Sequence, residues 1–128
     1  MEPILSAEQA FLICIVEDDD AVRASTRLLL ETVGYPVRDY ASAEAVLEDA
    51  AAAASACYLV DFQLGGMTGL DLLERLRDRG IHTPAILMTA NANHSKERGS
   101  RANLLAALQK PVRAADLLAW IEKACSGS

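Results

Sequence analysis

Four carboxylates stand in a row at Glu17-Asp18-Asp19-Asp20, a further one at Asp61, a hydroxyl at Thr89 and an ammonium at Lys110. Each follows a short, largely apolar run: Ile13 to Val16, Cys57 to Val60, Pro84 to Met88 and Leu105 to Gln109. Runs of this length and composition read as buried strands, so these polar groups fall where strands leave a core. If the strands are parallel, Glu17, Asp18 and Asp61 share one crevice, and three carboxylates there cannot all stay ionised without a cation. Oxygen-only donors suit Mg2+, which binds through a few carboxylates and keeps waters. A lysine and a hydroxyl beside such a site make a place for a phosphoryl group. A carboxylate can itself be the nucleophile in phosphoryl transfer. Asp19 and Asp20 read differently, as acids that begin a helix and suit its positive end.

The elements that must position these groups alternate. Strands are expected over Phe11 to Val16, Val37 to Tyr40, Cys57 to Val60, Pro84 to Met88 and Leu105 to Gln109. Helices are expected between and after them. The first runs from Asp20 to Val33, with Val22, Leu29 and Val33, and Thr26 and Leu30 beside them, marking its apolar face, and Gly34 and Pro36 end it. The second starts at a Ser42 cap and continues to about Ala54. The third, Leu70 to Arg79, is capped by Thr68, and Gly65, Gly66 and Gly69 make the loop before it permissive. Asn91 to Asn103 is polar and supports only a weak helix. Ala114 to Ala124 is amphipathic, with Leu117, Ile121 and Ala124 inward. Five strand–helix alternations predict an α/β fold, a doubly wound five-stranded parallel sheet with helices on both faces.

Composition narrows the function classes. The chain has 128 residues, enough for one domain, and 52% of them are hydrophobic. The net charge of −6 and the lack of a basic run argue against nucleic-acid binding. No apolar stretch approaches the roughly 18 residues that read as a membrane span, and the start lacks the features of a signal peptide. Cys14, Cys57 and Cys125 fit no metal or disulfide spacing and read as small hydrophobes in a reducing cytoplasm. His82 and His94 sit in polar context and read as exposed. Residues 1–10 read as an N-terminal extension, 11–125 as the domain and 126–128 as a tail.

The motifs together resemble the receiver domain of two-component response regulators, over Phe11 to about Ala124. Ile15-Val16-Glu17-Asp18-Asp19 is similar to that family's acidic pair, and Leu59 to Leu70 to its phosphoacceptor strand and loop. Ile86 to Ala90 is similar to its switch-hydroxyl strand, and Leu108-Gln109-Lys110-Pro111 to its lysine-proline motif. The resemblance implies the flavodoxin-like strand order 2-1-3-4-5. It implies that Asp61 accepts a phosphoryl group from a sensor histidine kinase or a histidine phosphotransfer protein. Asp18, Glu17, Asp61 and the backbone carbonyl of Gln63 would hold Mg2+. Lys110, Thr89 and Ala90 would stabilise the phosphoryl group, and Lys110-Pro111 would be a cis peptide. The chain would be a phosphoacceptor rather than an enzyme, acting through an unidentified downstream protein, with a homodimer as one form of output.

Departures from the family pattern bear on that output. Glu17 replaces the commoner aspartate, Gly65 stands where proline is usual, and Ala107 stands where an aromatic switch residue is usual. Trp120, pointing to the side of the last helix, is expected to help contact a partner over the gap left by Ala107.

Two other classes of function compete with a phosphorylated signalling domain. One is a receiver-like adaptor that binds without phosphorylation, motivated by Ala107 and the weak fourth helix. The other is a phosphohydrolase of the haloacid dehalogenase type, with Asp18 as nucleophile in Asp18-Asp19-Asp20-Ala21-Val22 and with Thr89 and Lys110 as its later motifs. That reading leaves Asp61 without a role and finds only Asp116 and Glu122, both on a helix, after the lysine.

Overall fold

Alternate side chains of each inner strand go to opposite faces of one sheet, and that division sets the layers. The computed structural model describes residues 11–92 and 104–126. Strands β1 (Ile13–Val16), β2 (Val37–Tyr40), β3 (Cys57–Asp61), β4 (Ala85–Thr89) and β5 (Leu104–Gln109) form a parallel sheet in the order β2-β1-β3-β4-β5. The described helices are α1 (Asp20–Thr32), α2 (Ala43–Glu48), α3 (Gly69–Asp78) and α4 (Ala114–Ser126).

On one face Cys14, Val16, Tyr58, Val60, Ala85 and Leu87 meet Val46 of α2 and Leu70, Leu73 and Leu76 of α3. On the other, Ile13, Ile15, Cys57, Leu59, Ile86 and Met88 meet Leu30 of α1 and Leu117 and Ile121 of α4. Strands β1, β3 and β4 are buried on both faces, so they read as unbroken apolar runs. Burying each of their large side chains contributes roughly 1.5–3 kcal/mol. The connection after β1 leads to one side of the sheet and the connection after β3 to the other. The crevice at the carboxyl ends of these two strands is therefore the switch point where α/β sheets bind ligands.

The elements follow the expected order with local corrections. β1 begins at Ile13 rather than Phe11, and β3 extends to include Asp61. α1 buries only part of the expected face: Leu30 is buried and Leu29 packs partly against the core, while Val22 and Val33 are 43% and 50% exposed. The second helix does not run on to Ala54. It stops at Glu48, and a 3-10 turn covers Ala50–Ala54. Asp49 breaks it with extended backbone, its carboxylate accepting the Ala51 N–H at 3.0 Å and the Tyr40 hydroxyl at 2.9 Å. An alanine-rich run hides such a break because every residue around it favours helix. In α3, Leu72 is buried and Arg77 is exposed. Ser126 belongs to α4, its hydroxyl bonded to the Glu122 carbonyl, and not to the tail. The extension over residues 1–10, residues 127–128 and, from residue 93 on, the weak helix expected over Asn91 to Asn103 lie outside the described residues.

Candidate functional site

β1 and β3 are neighbours in register, with Val16 beside Val60, so the residues that follow them meet above the sheet. Glu17, Asp18 and Asp61 each bring one carboxylate oxygen to the same spot, all within 4.8 Å of one another. Glu17 and Asp61 are buried and Asp18 is exposed. From β5, Lys110 extends its ammonium into an ion pair with Asp61 Oδ1. The other Asp61 oxygen, Oδ2, accepts the Gln63 N–H at 3.0 Å. Gln63 thus meets Asp61 through its backbone N–H.

The electrostatics follow from burial and crowding. Burial pushes the Glu17 carboxyl above the ordinary carboxylate range, and the Asp61 and Asp18 charges push the same way against a hydrogen bond from the Asp19 N–H. Burial alone would lower the Lys110 ammonium, but its hydrogen bond and charge interaction with Asp61, with Glu17 and Asp18 further off, hold it above its ordinary value. Glu17 Oε2 accepts the Asp19 N–H at 3.2 Å, while Oε1 is buried without a hydrogen-bond partner. A buried carboxylate oxygen left unpaired is costly. That orphan, with two more carboxylates in reach, is what a hard cation such as Mg2+ would satisfy. The donor set therefore fits the ion that the sequence implies.

The rest of the site sits on β4, β5 and their loops. Thr89 closes β4 and is buried. Its carbonyl accepts the Lys110 N–H at 2.8 Å and its hydroxyl accepts the Asn91 N–H at 3.2 Å. The Gln109 carboxamide donates to the Ala90 carbonyl and accepts the Ala92 N–H at 2.9 Å, tying the loop after Thr89 to the end of β5. The Lys110-Pro111 peptide is cis. Asp19 is the N-cap of α1, accepting the Val22 N–H at 3.0 Å, and Asp20 pairs with Arg23 at 2.7 Å.

Beside the site an open groove of about 600 Å³ runs between α1 and α4. Glu17 and Lys110 line it together with Val22, Leu29, Pro111 and Leu117.

Trp120 and Ala107 pack on opposite sides of the sheet, to either side of its β5 edge. Trp120 is half-buried on the α1 and α4 side of the sheet, with Lys123 Nζ 5.1 Å from its ring centroid. Ala107 packs toward the α2 and α3 side. Sequence reasoning gave no site role to Gln109 or Arg23 and only a loop role to Gly69. Gly69, whose N–H donates to the Phe62 carbonyl at 2.8 Å, packs so closely on β3 that an added Cβ would run into the Asp61 carbonyl.

The sequence model of the response regulator receiver domain matches residues 13–122. The chain belongs to that family. The receiver domain is 38% identical over 79 residues to the transcriptional regulatory protein FixJ of Azorhizobium caulinodans, covering 62% of this chain and 37% of that protein. It is 30% identical to the response regulator protein TmoT of Ectopseudomonas mendocina, over 91% of this chain and 54% of that one. It thus spans between about a third and a half of the length of these relatives. Among solved structures, a CheY-like response regulator receiver domain protein from Methanospirillum hungatei superposes with a TM-score of 0.80 at 30% identity, over 91% of this chain and 94% of that one.

Proposed function

We propose that this receiver domain takes a phosphoryl group onto Asp61 from a phosphohistidine on a kinase or phosphotransfer protein, and signals through changed protein contacts. The observation that carries this reading is the convergence on Asp61. One buried carboxylate is paired by Lys110 and flanked by Glu17 and Asp18 at the switch point of the sheet. The same convergence gives Asp61 the role that a hydrolase using Asp18 would leave empty. Mg2+, held by Glu17, Asp18 and Asp61, would offset charge on the phosphoryl oxygens.

The residues divide the work. Asp61 Oδ1 is the oxygen that would attack phosphorus as the P–N bond of the donor breaks and the imidazole leaves. Lys110 holds that carboxylate in place and stays to bind a phosphoryl oxygen. Thr89 must release the Asn91 N–H to turn its hydroxyl to the new group, and the Ala90 N–H lies next to it in the chain. Transfer would add about −1.5 to −2 of charge at the site, which is enough to bias a loop with two arrangements. The protein donor would rest in the groove between α1 and α4, because that groove opens onto Glu17 and Lys110. We read the chain as a cytoplasmic phosphoacceptor rather than a turnover enzyme. Among the described residues no helix is long and apolar enough to cross a membrane.

Mass measurement after incubation with acetyl phosphate and Mg2+ tests the reading. The wild type should gain the mass of one phosphoryl group, and Asp61→Asn should gain none. A folded wild type that stays unlabelled would instead favour a phosphorylation-independent adaptor, the reading that the small Ala107 side chain suggests.

A further inference from the structure

Arg23 lies in α1 and reaches back over the loop that carries the acids. Its Nη1 donates to the Glu17 carbonyl at 2.8 Å and its Nη2 to Asp20 Oδ1 at 2.7 Å. The side chain is only 18% exposed, against 88% for that of Asp20, so the guanidinium lies down on the loop rather than waving in solvent. The carbonyl it holds belongs to the peptide joining Glu17 to Asp18. The Glu17 N–H is already fixed by the Tyr40 carbonyl at 3.1 Å. The β1–β2 pairing ends at Val16 and Tyr40, so the ladder on that side does not continue to the Glu17 carbonyl. A peptide unit is planar. Gripping its oxygen therefore sets the plane from which the Asp18 side chain departs.

We propose that Arg23 is a positioning residue of the acid site, fixing the Glu17–Asp18 peptide so that both carboxylates face Asp61. The inference rests on the reading of these carboxylates as a Mg2+ site. Arg23 has two opposite effects on a cation there. Its positive charge, close to the acids, repels the ion. Its two hydrogen bonds hold the ligands in the binding arrangement before the ion arrives. Partners that orient metal ligands typically change affinity by 10–100-fold when removed. The second effect is thus the larger, and the sign of the mutant's change separates the two.

Calorimetric titration of the full chain with Mg2+, comparing wild type, Arg23→Ala and Arg23→Lys, tests this. Both variants should bind about tenfold or more weakly. Alanine loses the grip together with the repulsion, and lysine keeps the charge but cannot span two acceptors as the guanidinium fork does. The metal-free Asp18 amide resonance should shift in both. Thermal melts in chelator check folding, and Arg23→Lys carries the test if Arg23→Ala does not fold. Binding by Arg23→Ala as tight as wild type or tighter, with Arg23→Lys unchanged, overturns the inference and leaves the metal site standing. A wild type that takes up no Mg2+ overturns both.

Discussion

Cys14 sits in the middle of β1 with no exposed surface, and burial pushes its thiol from an ordinary 9.0 up to about 12. Burial raises Cys57 in the same way and also raises Cys125, but Cys125 is only half-buried and is the one of the three a reagent can reach. A thiol reacts as its thiolate. At pH 8 iodoacetamide should therefore modify Cys125 in the folded protein and all three cysteines after denaturation, as read by mass. Rapid native modification of Cys14 would show that β1 opens. The alkaline side follows by linkage. Stability from the protonated thiol is complete below pH 9.0 and is lost as pH rises toward about 12, because the unfolded chain gives up its proton first. The inert character of Cys14 and Cys57 is legible in the sequence because both lie within apolar runs. Glu17, Asp18, Asp61 and Lys110 are legible for the complementary reason, a charge placed where such a run stops. Arg23 and Gln109 are not, because each acts on backbone atoms of a loop whose path only the fold defines.

Among the elements, α3 shows how a residue that looks merely permissive can be obligatory. Thr68 and Asp71 form a capping box, each side chain accepting the other's backbone N–H at 3.1 Å, which starts the helix at Gly69. Glycine within a helix normally costs about 0.5–1 kcal/mol relative to alanine, so replacing it should help. Here the added Cβ would meet the Asp61 carbonyl and lie 2.8 Å from Val60 Cγ1. Gly69→Ala should therefore destabilise the fold, by about 1–3 kcal/mol as overpacking does. Denaturant titration reads the sign directly, and an unchanged or raised midpoint would show that α3 can shift away from β3 at little cost. The sequence offered Gly69 only as one of three loop glycines. The close approach comes from the packing of α3 on the strand that carries Asp61. The first helix was legible only in part, for a related reason. The spacing of Val22, Leu29 and Val33 is helical, but periodicity reports an apolar stripe and not what covers it. Leu30 meets the sheet, while Val22 and Leu29 line an open groove.

At the scale of the whole molecule, the sheet order puts Asp61 and its companions on one edge, and α1 and α4 leave an apolar trough leading to it. The strand order followed from the family resemblance, and the parallel alternation was legible because strands buried on both faces announce themselves and each functional group closes one. The trough was not, since it lies between helices far apart in sequence. It separates two routes to Asp61. Acetyl phosphate needs only the crevice, whereas a protein donor would need a surface to rest on while its histidine reaches in. Val22 is 43% exposed and lines the trough, and it lies in the first turn of α1, where an acid is favourable. Val22→Glu should therefore fold normally and accept phosphate from acetyl phosphate at the wild-type rate. From a phosphorylated histidine phosphotransfer protein that labels the wild type, kcat/KM should fall about tenfold, the scale of losing one substantial interface contact. Equal loss with both donors would place Val22 in the chemistry rather than the docking. No loss with either would move the donor's approach off α1 and away from the groove.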